Sequence, residues 1–261
     1  MQVVESEYSG DTGAVDLALD RLGAGDVLAG QKRILLKPNL VTASAFPVTT
    51  DPAFCEAVLR YVRGCTEAEV VIAEGTGEPG YSTHEVFETL GYGEMARRHG
   101  ADLVDLNEEP CTVVRNPECS VFPEMHLPEI AFTHFIISLP VLKAHSLSVF
   151  TGTLKNMMGF APPQHYSGTH GYWKKAVFHG NMQDGIRDLC VHRAPDLTVL
   201  DASVGLCEFH LGGRHCDPPV GRILAGFDPL GVDRRAAELL GIDWSRVGHL
   251  AEDHPYNRRF S

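Results

Sequence analysis

The sequence predicts an α/β protein built on a mostly parallel, doubly wound (Rossmann-like) sheet with helices on both faces. Segments with helical periodicity alternate with short apolar runs along the chain, which is typical of β-α-β units. The apolar runs show no polar alternation, so we expect both faces of each strand to be covered. The 261 residues are enough for one large domain, and no internal repeat or low-complexity linker divides them.

The predicted elements follow one another in a regular order. Helical patterns occupy residues 12–23, 52–63, 83–99, 182–192 and 230–240. Apolar runs predict strands at residues 34–36, 70–73, 102–105, 135–139, 197–200 and 223–226. The helix at 52–63 has the clearest start, because Pro52 follows Asp51 and a helix tolerates proline in its first turn.

Two segments fall outside this regular pattern. Residues 107–131 contain several prolines and show no periodicity, so they are predicted to form an irregular insertion. Residues 161–182 are rich in glycine, histidine and aromatic residues, which predicts an ordered loop or a lid. We therefore expect a single domain spanning residues 1–261, with a small inserted lobe or lid from one of these segments.

Composition limits the partners and the cellular compartment. The formal net charge of -12 disfavours nucleic acid and anionic membranes, because both bind basic surfaces. No apolar run approaches the roughly 18–20 residues of a membrane span, and the first residues lack a signal-peptide pattern. The seven cysteines form no Cys-x-x-Cys, which favours reduced thiols. These observations predict a cytoplasmic protein, whose oligomeric state stays open and includes a homodimer.

The strongest site signal is the stretch 139–160, LPVLKAHSLSVFTGTLKNMMGF. It places two lysines, a histidine and an asparagine in a segment that is otherwise largely apolar. A lysine among apolar neighbours loses hydration, so its pKa tends to fall and it becomes a candidate acid/base or Schiff-base group. The alternative is a lysine that extends along a helix flank to solvent. We interpret His145, Lys155 and Lys143 as the catalytic candidates.

Polar residues follow most of the predicted strands. The carboxyl ends of strands form the binding crevice in open α/β sheets, so these residues are expected to converge on one rim. The predicted substrate-binding residues are Lys37, Asn39, Thr50, Glu74, Thr76 and Asn156. Asp105 and Asp201 are predicted to polarise a histidine or to hold a divalent metal. For each residue alone, a turn or a helix cap remains an equally good interpretation.

Two groups of histidines and cysteines are candidate metal ligands. A glycine-rich loop contains Cys207, His210, His215 and Cys216. Such soft and borderline ligands favour zinc or iron. The spacing of the four residues matches no standard zinc motif. His165, His170 and His179 could also ligate a metal or move protons, or they could be surface residues. ATP and NAD are not expected, because the chain has neither GxxxxGK[ST] nor a complete dinucleotide fingerprint.

A family resemblance covers most of the chain. The motifs that carry it are KPNLV at 37–41, TTDP at 49–52, EGTG at 74–77, the stretch 139–160, PDLTVLDASVG at 195–205 and FDPLGVDRRAAELLG at 227–241. Together they resemble domain-of-unknown-function family 362 (DUF362). Members of this family frequently carry a ferredoxin-like iron–sulfur module. This chain lacks the Cys-x-x-Cys-x-x-Cys run, so the resemblance implies a stand-alone member without an iron–sulfur cluster.

More distantly, the strand and loop with His145 and Lys155 are similar to the lactate racemase group. That group uses a nickel-pincer cofactor bound to a lysine. The resemblance implies nickel as a further candidate metal, with Lys155 matched loosely to the cofactor-linked lysine and His145 to an acid/base histidine.

Three hypotheses for the function follow. The first is an enzyme that acts on a small anionic carboxylate or carbonyl metabolite by proton abstraction, isomerisation or lyase chemistry, with or without a metal. In it, His145 is the base and Lys155 or Lys143 is the proton partner or charge stabiliser. The second is a metal- or redox-cofactor-binding protein that uses the 207–216 loop. The third is a non-catalytic anion-binding module, in which Lys37 and Lys143 matter and His145 does not.

Overall fold

The computed structural model describes residues 2–8, 10, 13–168 and 172–251, and in these ranges five parallel strands form the centre of one large sheet. The strands of the fold in chain order are β1 (Val3–Glu7), β2 (Arg33–Pro38), β3 (Glu69–Glu74), β4 (Asp102–Asp105), β5 (Cys111–Arg115), β6 (Glu124–Pro128), β7 (Phe135–Leu139), β8 (Val141–His145), β9 (Val149–Thr151), β10 (Leu197–Leu206) and β11 (Arg222–Gly226). The central strands are ordered β10-β7-β2-β3-β4 and run parallel.

Helices cover both faces of this sheet. They are α1 (Gly13–Leu22), α2 (Ala24–Ala29), α3 (Pro52–Cys65), α4 (Thr83–Leu90), α5 (Tyr92–His99), α6 (Ile130–Thr133), α7 (Thr153–Asn156), α8 (Pro163–Tyr166), α9 (Met182–His192) and α10 (Pro229–Leu239). Short 3-10 helices occupy Met157–Phe160, Ala176–Gly180, Trp244–Arg246 and Gly248–Leu250. None of the helices described is both long and apolar enough to span a bilayer.

The apolar strands separate two hydrophobic cores. Side chains of a strand alternate between the two faces, so Leu35 of β2 packs into the core that contains Leu154 of α7. Its neighbours Ile34 and Leu36 pack into the other core, with Val58 of α3. All three β2 residues are fully buried, which explains why their run reads as continuously apolar.

The sheet as a whole is mixed, and this corrects part of the prediction. β11 pairs antiparallel with β10, and β1 pairs antiparallel with β11 at the edge. β1 was not predicted, because its five residues include two glutamates and a serine and give no apolar run. The mostly parallel centre is as predicted, whereas the doubly wound, Rossmann-like arrangement is not established by a mixed sheet.

Some element boundaries also differ from the prediction. The helix expected at 83–99 is divided into α4 and α5 at Gly91, whose φ of 87° is left-handed and ends the first helix. The segment 107–131, predicted to be irregular, contains the antiparallel pair β5 and β6. The residues after Pro140 form β8, so Lys143 and His145 lie two positions apart on a strand rather than on a loop.

The helix that carries Lys155 depends on a distant residue. α7 has only four residues, too few to be stable by itself. Asp233 of α10 accepts hydrogen bonds from the backbone N–H groups of Thr153 at 2.6 Å and Leu154 at 2.9 Å. This buried carboxylate satisfies the first donors of the helix and so fixes the position of Lys155.

We expect Val149→Asn to stabilise the protein. Val149 has a φ of 67°, a left-handed conformation that is unfavourable for a β-branched side chain, and it is 44% exposed. Because asparagine tolerates this conformation, the free energy of unfolding should rise by about 1 kcal/mol in a urea titration. The control is Leu147→Asn, an exposed change in the same turn without a positive φ. An equal gain in both variants would contradict the explanation by strain.

Candidate functional site

A cavity of about 270 Å³ opens at the carboxyl ends of β2 and β3. Its floor includes Asn39 and Glu74, which follow or end these strands, and His145 at the end of β8. The remaining polar and apolar walls come from α7 and from the segments 161–182 and 207–216, and they include Lys155, Asn156, Trp173, Lys175, His179, Met182, Phe209, His210 and Leu211. The volume is close to the lower limit of ligand pockets, which fits a small metabolite.

A buried ion pair forms the base of the cavity. Lys37 Nζ lies 2.9 Å from Glu74 Oε1, and both side chains are almost completely buried. Glu74 also accepts hydrogen bonds from the backbone N–H groups of Leu40 at 2.8 Å and Gly75 at 2.7 Å. Burial lowers the pKa of Lys37, and the charge of Glu74 partly opposes this. The carboxylate is therefore engaged with the protein and keeps Lys37 in place.

Asn156 and Gly159 also lie against the buried ion pair. The Asn156 carboxamide accepts from Lys37 Nζ at 3.2 Å and donates to Ser138 Oγ at 3.0 Å. Gly159 passes so close to the ion pair that a Cβ there would lie 2.2 Å from Glu74 Oε1. Only glycine fits this approach without a shift of the ion pair.

Lys155 differs from the other cavity lysines. Loss of hydration lowers its pKa to about 8. Its amine lines the cavity, and within the described part of the chain it makes no hydrogen bond or ion pair. The amine is therefore free to contact a ligand, and its lowered pKa makes the neutral form accessible near physiological pH.

Two further lysines lie in the same region, each bonded to neutral oxygen atoms. Lys143 Nζ donates to Asn39 Oδ1 and to the carbonyl oxygen of Val48 at 2.7 Å. Lys175 Nζ donates to Asn107 Oδ1 at 2.7 Å and to a backbone carbonyl oxygen. The pKa of each amine is lowered to about 7, and burial is the largest cause. The nearby charge of Lys155 lowers the pKa of Lys143 further.

His145 is held by the backbone of its own turn. Its Nδ1 accepts hydrogen bonds from the N–H groups of Leu147 at 3.0 Å and Ser148 at 3.2 Å. Burial, and next the charge of Lys155, keep the pKa of His145 far below its ordinary value, so the ring is neutral. A neutral ring with Nδ1 as acceptor carries its proton on Nε2, which makes Nε2–H a hydrogen-bond donor.

His210 stacks on His145. The ring centroids are 3.6 Å apart and the planes differ by 14°. Burial and the nearby lysines lower the pKa of His210 to about 3, so this ring is neutral as well. Its Nδ1 is buried, and it has no hydrogen-bond partner among the described residues. This ring nitrogen is therefore a buried polar position that the described residues do not satisfy.

Four of the predicted site residues bond to the protein and do not line the cavity. Thr50 Oγ1 donates to the carbonyl oxygen of Leu139 at 2.7 Å, and Thr76 Oγ1 donates to that of Val41 at 2.9 Å. Asp105 accepts from Thr83 Oγ1 at 2.7 Å and from the backbone of Asn107. Asp201 accepts from the backbone of Ser203, and burial raises the pKa of its carboxyl. The contacts of Thr50 and Thr76 join segments that are distant in sequence, and that of Asp201 closes a local turn. Asp105, which was predicted as a metal ligand, belongs to a group whose ligand atoms lie within 4.8 Å of one another.

The structure separates His210 from the other three predicted Cys/His ligands. His210 lies in the main cavity, whereas Cys207, His215 and Cys216 line a separate surface cavity. In the described ranges, the side chains close enough to share a metal ion are His84, Asp105 and Glu108. Of the other histidines, His165 stacks on His126, His179 lines the main cavity, and His170 lies outside the described residues.

Lys175 is the charged lining residue that was not predicted from the sequence. It lies in the segment 161–182, which has no periodicity, and its neighbour Lys174 is a lysine too. Their environments differ, since Lys175 is 6% exposed and lines the cavity while Lys174 donates to the backbone of Tyr81 nearer the surface. No local signal distinguishes the two.

The family model for "Domain of unknown function (DUF362)" matches residues 34–238, most of the chain and all of the central strands. The chain belongs to the DUF362 family. This family assignment covers each element that contributes to the cavity, from β2 to the 207–216 segment, and agrees with the resemblance seen in the sequence motifs.

This DUF362 chain is similar to two known proteins. The thylakoid-associated protein sll1697 of Synechocystis sp. is 26% identical over 234 residues, which cover 88% of this chain and 69% of that protein. The lactate racemase apoprotein from Thermoanaerobacterium thermosaccharolyticum has a similar structure, with a TM-score of 0.52 and 16% identity. The match covers 78% of this chain but only 51% of the racemase chain, so this DUF362 protein spans about half its length. At this identity the likeness shows a shared fold.

Proposed function

We propose that this DUF362 protein is an enzyme that acts on a small anionic carboxylate or carbonyl metabolite by acid/base chemistry. The observation that carries the proposal is the unpaired amine of Lys155 in the cavity, with its pKa lowered to about 8. A catalytic base needs a pKa near the working pH and a position that a substrate can reach. Lys155 meets both conditions.

The charge of the cavity supports an anionic ligand. Lys155 and Lys175 line it, and Glu74 is the one acidic side chain among the described lining residues. Glu74 is already paired with Lys37. The whole chain has a formal net charge of -12, so this positive region contrasts with the acidic protein around it. An anion that enters the cavity gains the attraction of amines that have lost hydration.

The strand order supports a ligand site at this position. We infer that the parallel part is doubly wound, because β3 and β4 lie on one side of β2 while β7 and β10 lie on the other. The order of the strands therefore reverses between β2 and β7, next to Asn39 and the cavity. In open α/β sheets, ligands bind outside the carboxyl ends of the strands at such a reversal.

The geometry favours a division of roles that differs from the sequence hypothesis. His145 was predicted to be the base, but its Nδ1 is occupied by two backbone donors and its Nε2 carries the proton. We therefore assign the base to neutral Lys155 and give His145 the role of donor. Nε2–H of His145 would donate to the oxyanion that forms when a proton leaves the carbon next to a carboxylate or carbonyl.

A metal-assisted or cofactor-assisted form is the second candidate. The buried, unsatisfied Nδ1 of His210 and the unpaired Lys155 fit a group held by a lysine with a histidine as a further ligand. The described cavity residues do not gather three metal-ligating side chains as closely as His84, Asp105 and Glu108 do, so a bare ion fits less well. A divalent metal bound there would polarise a substrate oxygen. In this form Lys155 would hold the group, and His145 would still donate to the substrate.

Proton exchange at carbon tests the proposal. A panel of small 2-hydroxy and 2-keto acids is incubated with the protein in D2O, and loss of the proton signal next to the carboxylate or carbonyl is followed by NMR. We expect exchange with at least one acid, and we expect Lys155→Met to abolish it. Lys174→Met is the control, because Lys174 lies outside the cavity lining and bonds to the backbone of Tyr81.

Metal analysis of the purified protein separates the two candidates. Activity in protein without stoichiometric nickel, iron or zinc supports the cofactor-free form, and activity that follows metal content supports the second. Saturable binding of these acids without exchange in either preparation would contradict an acid/base enzyme and leave an anion-binding module.

A further inference from the structure

A hairpin that includes residues 207–216 forms one wall of the cavity. Its base is held by backbone hydrogen bonds from Cys207 N to the Arg214 oxygen at 2.9 Å and from Cys216 N to the Gly205 oxygen at 3.0 Å. At its tip, Phe209, His210 and Leu211 line the cavity. The stacking of His210 on His145 joins this tip to the catalytic region. Movement of the hairpin would therefore open or close one side of the site.

The two cysteines at the base of this hairpin are neighbours. Cys207 and Cys216 each follow one residue of the Leu206–His215 bridge between the two arms, and the Cys207 thiol contributes, after burial, to the raised pKa of Cys216. Both are free thiols that are partly exposed. They line a separate surface cavity of about 480 Å³, with Arg214 and His215. A small reagent can thus reach both sulfur atoms without entering the main cavity.

We propose that Cys207 and Cys216 form a reversible disulfide that controls access to the main cavity. The oxidant is a low-molecular-weight disulfide such as glutathione disulfide. One cysteine thiolate attacks it, forms a mixed disulfide and releases one thiol; the second cysteine thiolate then displaces the other thiol. Two protein thiols are oxidised and one reagent disulfide is reduced to two thiols. The final bond requires the two sulfur atoms to approach to about 2.05 Å across the base of the hairpin.

The bond would restrict the tip of the hairpin. It closes a loop that contains Phe209, His210 and Leu211, and closing a loop removes conformations in which these residues move away from the cavity. We therefore expect slower entry of ligands to Lys155 in the oxidised protein. This consequence does not depend on the acid/base function, since it concerns only access to an amine.

Two measurements on the full chain test the proposal. The protein is equilibrated with glutathione disulfide and mapped by peptide mass spectrometry. We expect loss of two hydrogens, a Cys207–Cys216 link, and reversal by dithiothreitol. Cys207→Ser and Cys216→Ser should each prevent the link. Cys65→Ser, at another partly exposed cysteine, should leave it unchanged. Mapping of the unaltered chain gives an answer even where a variant folds poorly.

Access is measured by labelling Lys155 with glyoxylate, a small anionic aldehyde, and cyanoborohydride. The amine forms an imine with loss of water, and hydride reduces it to a stable secondary amine. We expect labelling of Lys155 to slow several-fold in the oxidised protein and to recover with dithiothreitol. Absence of a Cys207–Cys216 link would overturn the proposed site. A link that leaves the labelling rate unchanged would overturn its control of access.

Discussion

Glu74→Gln should destabilise this protein by about 3–5 kcal/mol, because it removes the counter-charge of a fully buried lysine. Lys37 has no exposed surface, and its other contacts are neutral oxygens of Pro38 and Asn156. In the variant, Lys37 must either stay charged without compensation or give up its proton at a cost. Chemical denaturation followed by circular dichroism measures the change in the free energy of unfolding.

A surface ion pair provides the control. Glu124→Gln breaks the ion pair between Glu124, which is 46% exposed, and Arg115, which is 70% exposed. It should change the free energy of unfolding by about 0–1 kcal/mol. The double variant Lys37→Met with Glu74→Gln should recover part of the loss, because it removes the unpaired charge. A Glu74→Gln protein as stable as the Glu124→Gln protein would show that the buried pair is not what holds the base of the cavity.

Lys155→Met should abolish proton exchange while it stabilises the fold at neutral pH. Loss of a catalytic base costs about 10²–10⁴-fold in rate. The pKa of Lys155 is about 8 in the folded protein, whereas its ordinary value in an unfolded chain is 10.5. The unfolded chain therefore binds the proton more tightly. Folding at pH 7 therefore includes the cost of burying a charge, at most about 3 kcal/mol, which methionine avoids.

The pH dependence of this gain has a defined sign. Below pH 8 both states of the wild-type protein carry the Lys155 proton, and the full cost is present. As the pH rises from 8 to 10.5, only the unfolded chain keeps the proton, so wild-type stability increases relative to Lys155→Met. Unfolding titrations of both proteins at pH 7 and pH 9.5 measure this change, and Lys174→Met is again the control. A difference that is the same at both pH values would mean that Lys155 has no lowered pKa.

The sequence predicted that polar residues at the ends of strands would meet at one rim; Asn39 and Glu74 line the cavity there, whereas Thr76 and Asp105 do not. Glu74 and Asn39 follow the apolar runs of β3 and β2, and parallel strands bring their ends to one edge. The predicted lysines of the stretch 139–160 lie in the same region, Lys143 on β8 and Lys155 on α7. Their apolar neighbours in the sequence distinguish them from ordinary surface lysines.

The residues that were missed or misplaced depend on contacts between distant parts of the chain. Lys175 is buried only because its segment folds back over Asn107 and Ala161. The Cys/His group was predicted as one cluster because its members are close in sequence. In the hairpin His210 lines the main cavity near the tip, while Cys207 and Cys216 line a separate surface cavity at the base. Sequence spacing does not show which side of an irregular loop a residue faces.

The contact between Asp233 and the start of α7 has a consequence for how the site is assembled during synthesis. The carboxylate lies 80 residues after the backbone groups that it satisfies. A nascent chain that has emerged only as far as β10 already contains every parallel strand of the sheet, but α7 still lacks its cap. Contacts of such long sequence separation form late, because loop closure must come first. The sheet can therefore form before Lys155 is held in place, and a chain truncated before α10 would keep much of the scaffold while losing the order of its reactive amine.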